Sequence, residues 1–179
     1  MNVRENLHII IEKHPYRETL NKILLDELDN MENYFDHSGA PGFTNIHAQQ
    51  RCIQRDEHTK SMTQLLDWIY QLLSKDFPLD KGAKEQGGKV NANIWVARYN
   101  KDQYTLPHGH SPFALYGFVY FIKSPKGASP LVFTTSGKKI KPEEGRVVIF
   151  PGNLNHHVPK NKCEDRVIIA GNIGYDLNT

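Results

Sequence analysis

At 179 residues, 39% of them hydrophobic, the chain suits one domain with a real buried core and is too short for several. Lysine and arginine total 22 against 20 aspartates and glutamates, a formal net charge of +2, so bulk charge makes no case for a nucleic-acid partner. Two cysteines, Cys52 and Cys163, are too few for a disulfide scaffold, and with no apolar leader and no window of membrane-spanning length the chain reads as soluble and cytoplasmic.

From Tyr16 to Phe35 the apolar residues Leu20, Ile23, Leu24, Leu28, Met31 and Phe35 recur at helical spacing, with acidic, basic and amide residues between them. That pattern predicts an amphipathic helix. Periodicity disappears from Asp36 to Lys60, where Ser, Gly, Pro, Asn, Gln and His predict a long loop. Ser61-Met-Thr-Gln64 has the form of a capping box, and Met62, Leu65, Leu66, Ile69, Leu72 and Leu73 follow on one stripe, which predicts a second helix to about Lys75. A polar connector between Pro78 and Lys89 then separates two kinds of sequence.

Beyond it, short runs rich in Val, Ile, Phe and Tyr alternate with Gly and Pro: Val90 to Tyr99, Ala114 to Ile122, Pro130 to Thr135, Arg146 to Phe150 and Arg166 to Ile173. They predict strands. The continuous apolar character of Ala114 to Ile122 predicts a strand covered on both faces. The expected fold is therefore α+β: a helical part and connector over 1–89, integral to a single domain, and a jelly-roll β core over 90–179, with the helices packed on one sheet.

Chemistry collects at three places. In Tyr104-Thr-Leu-Pro-His108-Gly-His110, an extended backbone would send both imidazoles to one face, where a pair can bind a metal; the turn formers around them equally suit two polar residues in a surface turn. In Phe150-Pro-Gly-Asn-Leu-Asn-His156-His157-Val158 the adjacent histidines face opposite ways, so only one can join such a site. Arg166 opens an apolar strand, Arg166 to Ile173, whose one face holds Arg166, Ile168, Ala170 and Asn172. It either pairs at the surface with a carboxylate such as Glu164 or clamps a ligand carboxylate.

In order along the chain, His-x-His, a distal histidine and an arginine ten residues further resemble the iron(II) and 2-oxoglutarate dependent oxygenases, in particular the short bacterial and phage forms of the prolyl-4-hydroxylase-like branch. The residues that carry the resemblance are Arg98-Tyr99, Gln103-Tyr104, His108-x-His110, Gly117-x-x-Tyr120-Phe121, Pro142-x-x-Gly145, Phe150-Pro151 with His156-x-Val158, and Arg166 with Asn172. It spans roughly residues 90 to 174. It implies a double-stranded β-helix, with His108, His110 and His156 as iron(II) ligands and Arg166 gripping the far carboxylate of 2-oxoglutarate. Tyr104, Tyr116 and Asn172 are further candidates for contacts to that cosubstrate. The implied activity is a dioxygenase that uses 2-oxoglutarate and dioxygen to hydroxylate a C–H bond of a prime substrate, a peptidyl prolyl residue or similar, releasing succinate and carbon dioxide. His110 stands where most members have an acid, and three neutral imidazoles also suit zinc or copper. The alternatives are a cupin-type three-histidine metalloprotein without cosubstrate, for which the glutamate expected after His110 is absent, and a non-catalytic β-sandwich binding module.

Overall fold

A computed structural model describes residues 8–36, 44–77, 79, 81–82, 88–112 and 114–176. In chain order its elements are β1 (Ile10–Lys13), α1 (Arg17–Asp29), β2 (Phe35–Asp36), β3 (Ile46–His47), β4 (Gln49–Ile53), a 3-10 turn (Arg55–Glu57), α2 (Lys60–Ser74) and β5 (Lys89–Tyr99). There follow β6 (Tyr104–His108), β7 (Tyr116–Lys123), β8 (Leu131–Phe133), β9 (Lys139–Ile140), β10 (Arg146–Pro151), β11 (His156–Val158) and β12 (Arg166–Asp176). The strands form a seven-stranded sheet in the order β1-β10-β7-β12-β5-β4-β2 and a five-stranded sheet in the order β3-β6-β11-β8-β9, with antiparallel pairing in both. Two sheets face to face with helices on the outside of the larger one make the expected jelly roll.

Side-chain alternation produces the layers. Along β7, Phe118, Tyr120 and Ile122 point to a cluster shared with Leu24 and Leu28 of α1 and Leu65, Ile69 and Leu73 of α2. Val119 and Phe121 point the other way, into a cluster with Phe133, Val158 and Ile168 between the sheets. Both faces of this strand are thus covered, which is what its unbroken apolar run requires. No helix among the described residues is long and apolar enough to cross a membrane.

Several boundaries differ from the sequence expectations. α1 ends at Asp29, not near Phe35: the Asn30 side chain donates to the Asp26 carbonyl at 2.8 Å and the Tyr34 hydroxyl to the Leu28 carbonyl at 2.9 Å, so side chains take up carbonyls of the last turn, and Asn33 beyond it has a positive φ of 64°. α2 is capped by Thr59, whose side chain accepts from the Met62 amide at 3.2 Å; Ser61 is inside the helix and donates to Glu27. The stretch expected to be one long loop holds β3, β4 and the 3-10 turn, and β4 pairs along β5 from Gln49 opposite Arg98 to Ile53 opposite Ile94. β1 extends the large sheet at its other side, beside β10. Residues 37–43 of the expected loop and 78, 80 and 83–87 of the expected connector lie outside the described residues.

Candidate metal centre and cosubstrate pocket

The site lies between the two sheets, and three different elements bring histidines to it. β11 starts at His156, whose Cα stands opposite His108 of β6. Two residues on, Val158 stands opposite Thr105, so three residues of β6 span two of β11. This bulge lets Thr105 and His108 face the same side despite their odd spacing. His110 lies just past the end of β6 and is fixed by its main chain, whose amide donates to the Gly152 carbonyl at 2.7 Å. A β-carbon at Gly117 would come within 2.8 Å of the Phe150 ring and 3.3 Å of His110, so the bare backbone there makes room for both rings.

Ring centroids of His108, His110 and His156 are 4.4 to 5.0 Å apart, and one nitrogen from each lies within 4.8 Å of the others. His108 Nδ1 is 2.9 Å from the Leu106 carbonyl, and His156 Nδ1 is 2.9 Å from the Leu154 carbonyl. A carbonyl only accepts, so each Nδ1 carries the proton and each Nε2 keeps its lone pair. Burial, aided by the neighbouring imidazoles, lowers His156 to about 3 and His110 to about 4, and burial lowers His108 as well. All three are therefore neutral at pH 7, the form that ligates metal. His157 turns away, its Nδ1 3.1 Å from the Thr134 hydroxyl.

Arg166 is fully buried, and its Nε, Nη1 and Nη2 have no hydrogen-bond partner among the described residues. Its guanidinium lies over the Tyr99 ring, 4.6 Å from the centroid, with Phe121 at 5.6 Å. Burial pulls its pKa below the usual value, yet an arginine remains charged at neutral pH. The surface alternative is thereby excluded: Arg98, not Arg166, pairs with Asp29 at 2.5 Å and Asp165 at 3.7 Å. No carboxylate is among the buried side chains of the described residues. A fully buried cation with three idle donor nitrogens needs an anionic partner, and a ligand carboxylate matches its planar fork. The donor set of three neutral imidazoles likewise suits a divalent transition metal.

The other sequence candidates separate. Asn172 lies on the inner face of β12 with its Oδ1 buried and unpaired. Tyr104 stacks on His47, with ring centroids 4.6 Å apart, on the face of β6 opposite Thr105. Tyr116 packs with the helix-side cluster, 5.3 Å from the Phe77 ring, and lines an outer cavity of about 430 Å³ with Leu115, Pro151 and Tyr175. Neither tyrosine is brought to the histidines. Tyr99 stands directly opposite Arg166 and is hydrogen-bonded to Thr105 at 2.7 Å, and the Trp95 ring is 6.2 Å from His110. Period-two alternation along Val90 to Tyr99 puts residues 95, 97 and 99 on one face, a signal that was there to be used.

No family model matches the sequence, and no curated protein does. Solved structures do match. The viral collagen prolyl hydroxylase of Paramecium bursaria Chlorella virus 1, in complex with 2-oxoglutarate, superposes with a TM-score of 0.67 at 18% identity over 92% of this chain and 94% of that one. A Pseudomonas putida prolyl-4-hydroxylase gives 0.68 at 14% identity over 92% and 91%. HygX of Streptomyces hygroscopicus, with nickel and 2-oxoglutarate bound, gives 0.67 at 12% identity over 94% and 83%. At these identities the likeness establishes the fold: the chain has the double-stranded β-helix of the iron(II) and 2-oxoglutarate dependent oxygenases, over nearly its whole length.

Proposed function

We propose that this protein is an iron(II)- and 2-oxoglutarate-dependent dioxygenase that hydroxylates a C–H bond of a prime substrate, a peptidyl prolyl residue or one like it. The observation that carries this reading is the pairing, inside one lumen, of three converging neutral imidazoles with a fully buried and unpaired arginine. A cupin-type metalloprotein accounts for the first and leaves the second without a purpose.

In this reading His108, His110 and His156 hold the metal, and Arg166 takes the far carboxylate of 2-oxoglutarate. Bound iron(II) with 2-oxoglutarate supplies dioxygen activation, coupled to release of succinate and carbon dioxide. The carbonyls of Leu106 and Leu154 orient two of the imidazoles and hold their protons on Nδ1. The Tyr99 ring props the guanidinium from one side, which fixes its direction before any ligand arrives. The apolar walls of Val119, Phe121, Phe150 and Ile168 exclude water from the reacting centre. His110 brings no negative charge, so the bound metal keeps its full +2 and is offset only by ligands.

The test is anaerobic addition of iron(II) and then 2-oxoglutarate, which is expected to give a weak visible charge-transfer band. Arg166→Ala weakens cosubstrate binding and leaves metal uptake intact, whereas His156→Ala abolishes metal uptake and His157→Ala does not. A protein that binds metal but ignores 2-oxoglutarate returns the cupin reading, and one that binds neither is a binding module. Succinate release stimulated by candidate substrates then identifies the prime substrate.

A further inference from the structure

Two buried polar atoms near the histidines have no partner among the described residues and no part in the chemistry above: the Trp95 indole Nε1 and the Asn172 Oδ1. Their positions follow from register. Asn172 of β12 stands opposite Asn93 on one side and Gly117 on the other, and Trp95 stands opposite Ala170. Trp95 and Asn172 are therefore diagonal neighbours on one face of the sheet, about 7–8 Å apart at their Cα atoms, a span that one small polar group between their side chains bridges.

Depth along the barrel separates them from the cosubstrate. Arg166 and Tyr99 pair at one end of the lumen; Trp95 lies four residues back along β5, about 13 Å of strand away, and Asn172 six residues further along β12, about 20 Å away. Gly117, across from Asn172, is the residue that makes room for His110. Trp95 and Asn172 thus sit level with the histidines, at the end away from Arg166. A five-carbon diacid that runs from Arg166 to the metal approaches from the other end of the lumen. It also has no hydrogen to donate to the Asn172 carbonyl oxygen.

Charge narrows what belongs there. Among the described residues this face is uncharged from Trp95 to Asn91 on β5 and from Ala170 to Gly174 on β12, and the first charges beyond, Lys89 and Asp176, stand opposite one another at the rim. Asn93, exposed, and Leu115, 43% exposed, continue the uncharged surface outward. One cation facing one anion gives a phosphate-bearing polymer no excess of positive charge, and a charged metabolite no lone counter-charge. One free donor beside one free acceptor, in neutral surroundings, complements the C=O and N–H of an amide. We propose that Trp95 and Asn172 are the specificity-determining pair of the prime-substrate subsite, reading an uncharged secondary amide through one donated and one accepted hydrogen bond. The inference rests on the oxygenase reading for which end of the lumen the prime substrate enters.

The test uses the full chain, ¹⁵N-labelled and loaded with zinc(II) and 2-oxoglutarate so that no turnover occurs. The probes are N-acetyl-L-proline methylamide, which has a single N–H, its methyl ester, its free acid and a short oligothymidylate. The methylamide is expected to shift the Trp95 indole N–H, told from that of Trp68 by Trp95→Phe, and the Asn172 side-chain amide. It is expected to bind at least about threefold tighter than the ester, the worth of one modest hydrogen bond. Asn172→Ala brings the methylamide down to the level of the ester and leaves the ester unchanged; Trp95→Phe weakens both. Equal binding of amide and ester overturns the proposal, as does a preference for the free acid, a response to the oligonucleotide, or a shift of both signals by 2-oxoglutarate alone. The comparison of amide with ester on the unaltered chain decides even if a variant fails to fold. The Arg166 Nε–H signal reports 2-oxoglutarate separately: if it does not move while the methylamide acts as expected, the cosubstrate reading fails and the amide subsite stands.

Discussion

Arg166 shows a residue held against its own stability. Burying a guanidinium with no acceptor costs several kcal/mol in the empty protein, and nothing among the described residues repays it except the Tyr99 and Phe121 rings. Arg166→Met, similar in length and uncharged, is therefore expected to make the ligand-free protein more stable, by about 1–3 kcal/mol. The same variant loses the stabilisation that 2-oxoglutarate gives the parent. Urea unfolding with and without the diacid checks both halves; a variant less stable than the parent when empty would mean that the guanidinium has a partner after all. From sequence alone this residue was ambiguous, because Glu164 and Asp165 stand beside it and suggest a surface pair. The residue that decides the matter, Tyr99, lies far off in sequence and meets Arg166 only through the β5–β12 register. The histidines were more legible, since His-x-His and a distal histidine form an ordered pattern. Their actual convergence, however, uses a bulge in β6 and the Gly152 contact as well as strand alternation.

Among the elements, those with strong periodicity were visible and those formed by pairing were not. α2 and β7 have apolar patterns that specify them locally. β4 is Gln-Gln-Arg-Cys-Ile, and only the ladder to β5 makes it a strand. α2 also shows why its start was misplaced. Thr59, not Ser61, accepts from the Met62 amide, while its own hydroxyl donates to Glu27 of α1 at 2.7 Å. One side chain thus caps α2 and ties it to α1. Thr59→Ala is expected to cost about 1 kcal/mol, the usual worth of a cap. Thr59→Ser should restore it. Thr59→Asp, ordinarily as good a cap, should not, because its carboxylate has no proton to give and would face that of Glu27. Thermal melts of the three variants test this, and full rescue by aspartate would show that the link to Glu27 contributes nothing.

At the scale of the whole molecule, the site makes folding depend on acidity. His110 at about 4 and His156 at about 3 lie below the ordinary histidine value near 6.5, chiefly because burial disfavours the charged ring. Between those values the unfolded chain binds protons that the folded protein refuses, so stability rises with pH in this window and falls as pH drops from about 6.5 towards 4. His108, His14 and His58, also lowered by burial, act in the same direction. The lowered carboxylates Glu57 and Glu143 begin to act about one pH unit above their ordinary value of 4.5, so the upper part of the interval, from pH 6.5 to about 5.5, isolates the histidines. Metal binding needs the same neutral imidazoles. Zinc should therefore hold the folded form across this interval, and its affinity should decline only mildly above about pH 5, where an exposed histidine site would already have lost most of its ligands to protons. Urea midpoints of the metal-free protein at pH 6.5, 5.5 and 4.5 are expected to fall in that order. In a His110→Asn, His156→Asn double variant the same series should become shallower, with His108, His14 and His58 accounting for the slope that is left. An unchanged slope would mean that these two imidazoles titrate as if exposed to water, and would remove the electrostatic basis for a preformed metal site.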